Sequence, residues 1–212
     1  MAKVEMIAEK LITAELAQTN WQTLIENRTT RIILVRHGES MANKEKYIGG
    51  PDTPLSQLGH EQAMQAGHHI NSLLTVHHII SSPFTRALQT AHHIARAVGY
   101  PHDIELDHHV QERDFGPDYE SGEAGQLQKH PEYMLKGPKG NRLNPDFRPR
   151  GGESLTDVRD RVQHTIHRIA QQHQGKNVVI ATHGHTVRGF HMHFTGDVGK
   201  NVKNCEIRVY EL

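Results

Sequence analysis

Three places in the chain put proton-transfer or anion-binding groups where an apolar segment stops. Arg36-His37-Gly38 follows Ile32-Ile33-Leu34-Val35, whose β-branched residues suit a strand buried on both faces. Thr182-His183-Gly184 ends Val178-Val179-Ile180-Ala181 in the same way. Ser82-Pro83 follows a third short strand, His77 to Ser81, and leads into Arg86. A single Arg-His-Gly could be an ordinary surface loop, because short motifs match by chance. Its repetition at a second strand end is what points to chemistry. If the strands are parallel neighbours, Arg36, His37, Arg86 and His183 converge at the carboxyl end of one sheet, where open α/β folds bind ligands. Two guanidinium groups suit a dianion such as a phosphoryl group. A neutral imidazole among them can attack phosphorus. The departing alkoxide then needs a proton, and Glu112 is the best candidate to donate it.

The elements that must position these residues read as alternating strands and helices. After the first strand, Met41 to Pro54 reads as a polar, glycine-rich loop. Ser56 caps a helix with Ala63, Ala66, Ile70, Leu73 and Leu74 as its buried stripe. Ser82 and Pro83 supply an N-cap and a first-turn proline for a helix to Val98, with Arg86 one turn in. Ile104 to Leu106 suits a short edge strand. Pro117 to Arg150 is a long lid or substrate segment, with a short helix expected around Glu123 to Leu135. Ser154 and Asp157 form a capping box for a helix to about His173. A helix from His185 to Phe194 and a last strand, Ile207 to Leu212, complete the chain. This alternation predicts an α/β fold, a three-layer α/β/α sandwich on a mainly parallel central sheet with an antiparallel edge strand. Residues 1–30 form an N-terminal helical extension, with an amphipathic helix over Val4 to Asn27, and 31–212 form the main domain. That helix packs on the sheet or makes a homodimer; the pattern leaves both open.

Bulk properties narrow the function classes. Lys plus Arg and Asp plus Glu each number 24, which argues against nucleic acid or a membrane surface as partner. Cys205 is the single cysteine, and no apolar run approaches the length of a membrane span, so a cytoplasmic protein is expected. The 19 histidines include the pairs His68-His69, His77-His78, His92-His93 and His108-His109. With no His-Glu-x-x-His or Cys/His spacing among them, they read as solvated faces rather than metal ligands.

Longer blocks carry a family resemblance. Arg36-His37-Gly38-Glu39-Ser40 with Asn43, then Pro54-Leu55-Ser56 with Gly59 and Gln62-Ala63, resemble the histidine phosphatase, or phosphoglycerate-mutase-like, superfamily (branch 1). Ser81-Ser82-Pro83 with Arg86-Ala87 and Gln89-Thr90-Ala91, Glu112 to Gly116, Gly151 to Leu155 and Thr182-His183-Gly184 continue it in the family's order. The resemblance implies a phosphoglycerate mutase-like fold and a metal-independent phosphomonoester hydrolase that needs no cofactor and acts on a small phosphorylated metabolite. His37 would become phosphohistidine. Arg36, Arg86 and His183 would hold the phosphoryl oxygens, Asn43 and the Gly184 N–H would add contacts, and Glu112 would act as acid and base. Glu39, Ser40, Glu153 and Ser154 match family positions but read as supporting and capping residues. His185 departs from the pattern, standing where the family usually has a small or apolar residue; two readings stay open, that it approaches the pocket or that it simply begins a helix. The alternative is a 2,3-bisphosphoglycerate-dependent phosphoglycerate mutase, and a non-enzymatic binding module is the third reading. A short segment between Glu112 and Gly151 and a chain ending within its last strand favour hydrolysis, since a mutase must shield its intermediate from water. Lys129, Lys136, Lys139, Arg142, Arg148 and Arg150 make the lid basic, which suits a substrate with more than one negative charge or a merely solvated loop.

Overall fold

The computed structural model describes residues 29–119, 129–136 and 142–212. The helix expected over Val4 to Asn27 lies outside the described residues. Five strands form the main sheet in the order β3 (Glu105–Leu106), β2 (His78–Ser81), β6 (Asn177–Thr182), β1 (Arg31–Arg36) and β7 (Ile207–Glu211). β1, β2, β3 and β6 run parallel, and β7 joins the β1 edge antiparallel, as expected.

The strand residues alternate between two apolar layers because successive side chains leave opposite faces of a sheet. Ile32, Leu34, Ile80, Val178 and Ile180 pack on one side with Leu155, Val158, Val162, Val187 and Phe190. Those five come from α4 (Leu155–Gln172) and α5 (Gly184–Thr195). Ile33, Val35, Ile79, Val179 and Ala181 pack on the other side with Ala66, Ile70, Ala91 and Ile94. These lie on α2 (Gln57–Leu73) and α3 (Thr85–Val98). Helices therefore cover both faces, and the three-layer sandwich stands.

Local chemistry departs from expectation at three points. The segment read as a loop contains a short helix, α1 (Met41–Glu45), with Ser40 and Asn43 bonding reciprocally as its capping box. Asparagine in place of the usual Glu or Gln hid that signal. The helix after Ser82-Pro83 starts at Thr85, with Phe84 as an N-cap that has no side-chain bond. Ser82 Oγ is instead turned toward His183. Met134–Leu135 is not the end of a helix but strand β4, paired antiparallel with β5 (Arg142–Leu143). The first part of the expected helix, residues 123–128, lies outside the described residues.

Candidate active site

Register brings the two histidines together. Arg36 pairs with Thr182 across the parallel β1–β6 ladder, so the residues that follow, His37 and His183, stand side by side. Their ring centroids are 5.2 Å apart. Ser81 pairs with Ala181 on the other flank of β6, which places Ser82 against the same end. Two glycines let the β1 terminus sit down on α2. A Cβ on Gly38 would lie 2.3 Å from the Gly59 carbonyl oxygen, and one on Gly59 would lie 2.0 Å from that of Glu39. No real Cβ tolerates such contacts, so both positions require glycine.

Hydrogen bonds assign the ring tautomers. His37 Nδ1 lies 2.7 Å from the Gly38 carbonyl oxygen, which can only accept. The proton therefore sits on Nδ1, and Nε2 keeps its lone pair, facing Arg86 Nε at 3.3 Å. Burial first, then the charges of Arg86 and Arg36, push the His37 pKa down to about 3. His37 is therefore neutral across the working range. Ser82 Oγ accepts from the Phe84 N–H, leaving its own proton free to donate to His183 Nε2 at 2.8 Å. His183 then carries its hydrogen on Nδ1. Burial and the charge of Arg86 hold its pKa well below the usual histidine value.

Donors without partners mark where an anion fits. Among the described residues, the buried side-chain atoms lacking any hydrogen bond are Arg36 Nε, His183 Nδ1 and Arg113 Nη1, and the first two flank His37. Orphaned buried donors are costly unless a ligand meets them. The other arms of the arginines are fixed: Arg36 Nη1 donates to the Val202 carbonyl at 2.6 Å, and Arg86 Nη1 to that of Gly50 at 2.8 Å. α5 starts at Gly184 with no side-chain cap, adding its positive end to the same place.

Glu112 arrives from the loop after β3. Its Oε1 accepts from the backbone N–H groups of Arg113 at 2.9 Å and His185 at 3.2 Å. The His185 ring Nδ1 lies 3.8 Å from the same oxygen. Burial pushes the Glu112 carboxyl up, but His185, His183 and the Arg113 N–H outweigh it and hold it well below the usual range. Asn43 keeps its Oδ1 on the Ser40 N–H and on Asn204 Nδ2, at 3.3 and 3.1 Å. Asn204 Nδ2 also reaches the His37 carbonyl at 3.1 Å.

The structure thus brings Arg36, His37, Arg86, His183 and the Gly184 end of α5 into one pocket, with Glu112 and Asn43 at its margin. Sequence reasoning missed two supports, Asn204 and Arg161. Asn204 buttresses the His37 backbone from the segment before β7. Arg161 donates to the carbonyls of His109 and Gln111 and to Glu153, fixing the loop that carries Glu112. His185 does both things the sequence left open: it lies in the first turn of α5 and stands beside Glu112, with Tyr133 OH meeting its other ring nitrogen at 3.3 Å. Arg161 sits on the strongly periodic α4, where a charge reads as solvated, so no local signal revealed it. Glu39 and Ser154 play the supporting parts expected, Glu39 accepting from Ser56 Oγ and Ser154 capping α4. Beside Glu112 opens a cavity of about 650 Å³, walled by Phe84, Phe115, Tyr119, Gly50 and Arg113 among others.

Comparison with known proteins gives the family and supports the fold. The profile of the Histidine phosphatase superfamily (branch 1) matches residues 32–211. The chain belongs to that family. It is similar to phosphoglycerate mutase-like protein 4 of Arabidopsis thaliana, 30% identical over 184 residues, covering 85% of this chain and 79% of that protein. It is also similar to the probable phosphoglycerate mutase GpmB of Salmonella choleraesuis (strain SC-B67), 36% identical over 159 residues, covering 73% and 69%. In fold it resembles a mycobacterial glucosyl-3-phosphoglycerate phosphatase, with a TM-score of 0.71, 21% identity and coverage of 86% and 90%. Phosphoserine phosphatase from Entamoeba histolytica, solved with 3-phosphoglyceric acid, matches with a TM-score of 0.67, 24% identity and coverage of 85% and 89%.

Proposed function

We propose that the protein is a metal-independent phosphomonoester hydrolase that works through a phosphohistidine on His37. The observation that carries this reading is the neutral His37 Nε2, held between two arginines and beside the unpartnered donors Arg36 Nε and His183 Nδ1. The phosphoryl oxygens take those donors and the Arg86 guanidinium, which stabilise the charge spread over them in the transition state. The His37 Nε2 lone pair forms the N–P bond as the bond from phosphorus to the leaving oxygen breaks. Glu112 delivers a proton to that oxygen. A water then attacks phosphorus, gives its proton to Glu112, and the N–P bond returns its electron pair to His37.

Glu112 is ionised in the free site, so its proton must arrive with the substrate. A phosphate monoester with a second pKa near 6 binds as the monoanion and hands the proton to Glu112 as the dianion settles among the arginines. This predicts activity greatest in mildly acidic solution. Glu112 is part-exposed and lines the cavity, so water reaches the base, which supports hydrolysis over retention of the phosphoryl group. A chromogenic phosphomonoester assay tests the reading: His37→Ala should abolish turnover, and a variant as active as the parent would sink it. The names of the similar proteins support a second reading, a phosphoglycerate mutase; strong stimulation by 2,3-bisphosphoglycerate, with transfer outrunning hydrolysis, would establish it instead.

The substrate in this reading is a small phosphorylated metabolite, and the 117–150 segment selects it. The basic lid supports a multiply charged substrate only in part. Arg150 is paired with Asp118 and Arg148 with Asp157, while Lys139 lies outside the described residues. Among the described residues no helix is long and apolar enough to cross a membrane. A cytoplasmic location and a homodimer built on the N-terminal segment belong to the same reading, the latter checked by sizing the protein with and without residues 1–28.

A further inference from the structure

At the edge of the sheet opposite β7, three side chains from separate elements bring metal-ligating atoms together. His78 opens β2, Glu105 opens β3 and His173 follows α4; one ligand atom from each lies within 4.8 Å of the other two. His78 Nε2 is 2.7 Å from Glu105 Oε2. The His78 and His173 rings stack with centroids 4.3 Å apart. The carboxylate accounts for His78, but not for His173, whose ring nitrogens have no hydrogen-bond partner among the described residues.

We propose that His78, Glu105 and His173 form a binding site for a divalent transition-metal ion, best suited to Zn²⁺. Two imidazoles and a carboxylate are a donor set that zinc takes readily, leaving a fourth position for water. The surrounding contacts are those that orient ligands. Tyr100 OH lies 3.2 Å from His78 Nδ1, fixing the ring with Nε2 toward the ion. Arg168 bonds Glu105 through Oε1, leaving Oε2 for the metal, and its other arm donates to Asp107 at 2.7 Å. The charges facing the site are Glu105 and Asp107 against Arg168 and the more distant Lys176. An incoming dication therefore meets a balanced field rather than a positive one.

Tetrahedral zinc needs ligand atoms roughly 3.4 Å apart. The His78–Glu105 contact must open and the His173 ring must swing inward, which its half-buried place at a helix end permits. The ion is reachable, since the His78 and Glu105 side chains keep 21% and 31% of their exposure. Bound there, it staples the two-residue strand β3 and the end of α4 to β2. β3 runs on through Asp107 into the loop bearing Glu112, so the staple steadies that loop from the end of β2 opposite Ser82.

The test titrates Zn²⁺ into the chelator-treated full chain by calorimetry, with Co²⁺ absorption to report the ligand field. One equivalent should bind, and both His173→Gln and Glu105→Gln should weaken that binding at least tenfold. Saturating Zn²⁺ should raise the Tm of the parent by about 5 °C and that of neither variant. In chelator His173→Gln should melt like the parent, Glu105→Gln should melt lower because it loses the Arg168 and His78 contacts, and all three should hydrolyse the chromogenic ester alike, which separates this site from the phosphate pocket. Binding that is equal in parent and variants, or that is lost only with His37→Ala, overturns the proposal.

Discussion

Replacing Arg86 tests how the site keeps the proposed nucleophile, His37, neutral. Arg86 Nε lies 3.3 Å from His37 Nε2, and its charge is the second cause of the low His37 pKa, after burial. Arg86→Gln removes a charged donor aimed at the transition state, which costs about 3 kcal/mol, or 10²- to 10³-fold in kcat/KM. It also lets the His37 pKa climb from about 3 toward, but not to, 6.5, because burial remains. A protonated imidazole has no lone pair for phosphorus, so the acid limb of kcat/KM must move to higher pH in the variant. If the pKa reaches about 5, half of the enzyme is inactive at pH 5, against about 1% of the parent. Arg86→Lys restores the charge without the planar fork, so it should recover the parent's acid limb while keeping most of the rate loss. The assay is kcat/KM for the chromogenic ester from pH 4 to 8. Loss of less than tenfold in Arg86→Gln, or an acid limb that shifts equally in the Lys and Gln variants, would refute the reasoning.

Other consequences concern stability and the supports. His37 and His183 both have folded pKa values below their unfolded ones, so the unfolded chain binds more protons and stability must fall as pH drops from about 6.5 toward 3. Urea midpoints at pH 7 and pH 4.5 measure this, and His37→Asn should flatten the difference. Gly59→Ala puts a Cβ 2.0 Å from the Glu39 carbonyl and should cost at least 1–3 kcal/mol in thermal unfolding, with activity lost as the Arg36–Gly38 turn shifts. Arg161→Met frees the carbonyls of His109 and Gln111 and should lower kcat by about 10²-fold, with circular dichroism unchanged. His185→Ala removes the ring beside Glu112 and should let the Glu112 carboxyl pKa rise toward the ordinary range, read by NMR titration of the labelled side chain; a carboxyl that titrates as in the parent would refute this.

Much of this site is written in local sequence. Strands β1 and β6 declare themselves by β-branched runs, and the residues after them, His37 and His183, carry their chemistry in type alone. Arg86 reads correctly as a residue near a helix start, and Ser154 with Asp157 reads correctly as a cap. A side chain whose partner is distant in the chain has no such signature. Ser82 looks like an N-cap by every local rule, yet its hydroxyl serves His183, 101 positions away. His185 looks like a helix beginner, yet its backbone N–H and ring belong to Glu112.

The chain's own pattern therefore determined the layers, the strand ends and the types of the groups proposed to react, because burial and backbone geometry act over a few residues. Only the tertiary structure decided the Arg36–Thr182 register that sets His37 beside His183, the tautomers that leave Nε2 of one and Nδ1–H of the other toward the ligand, and the convergence of His78, Glu105 and His173 at the far edge. Those depend on partners brought together across the sheet, where a hydrogen bond of about 3 Å chooses between proton positions that the sequence leaves equal.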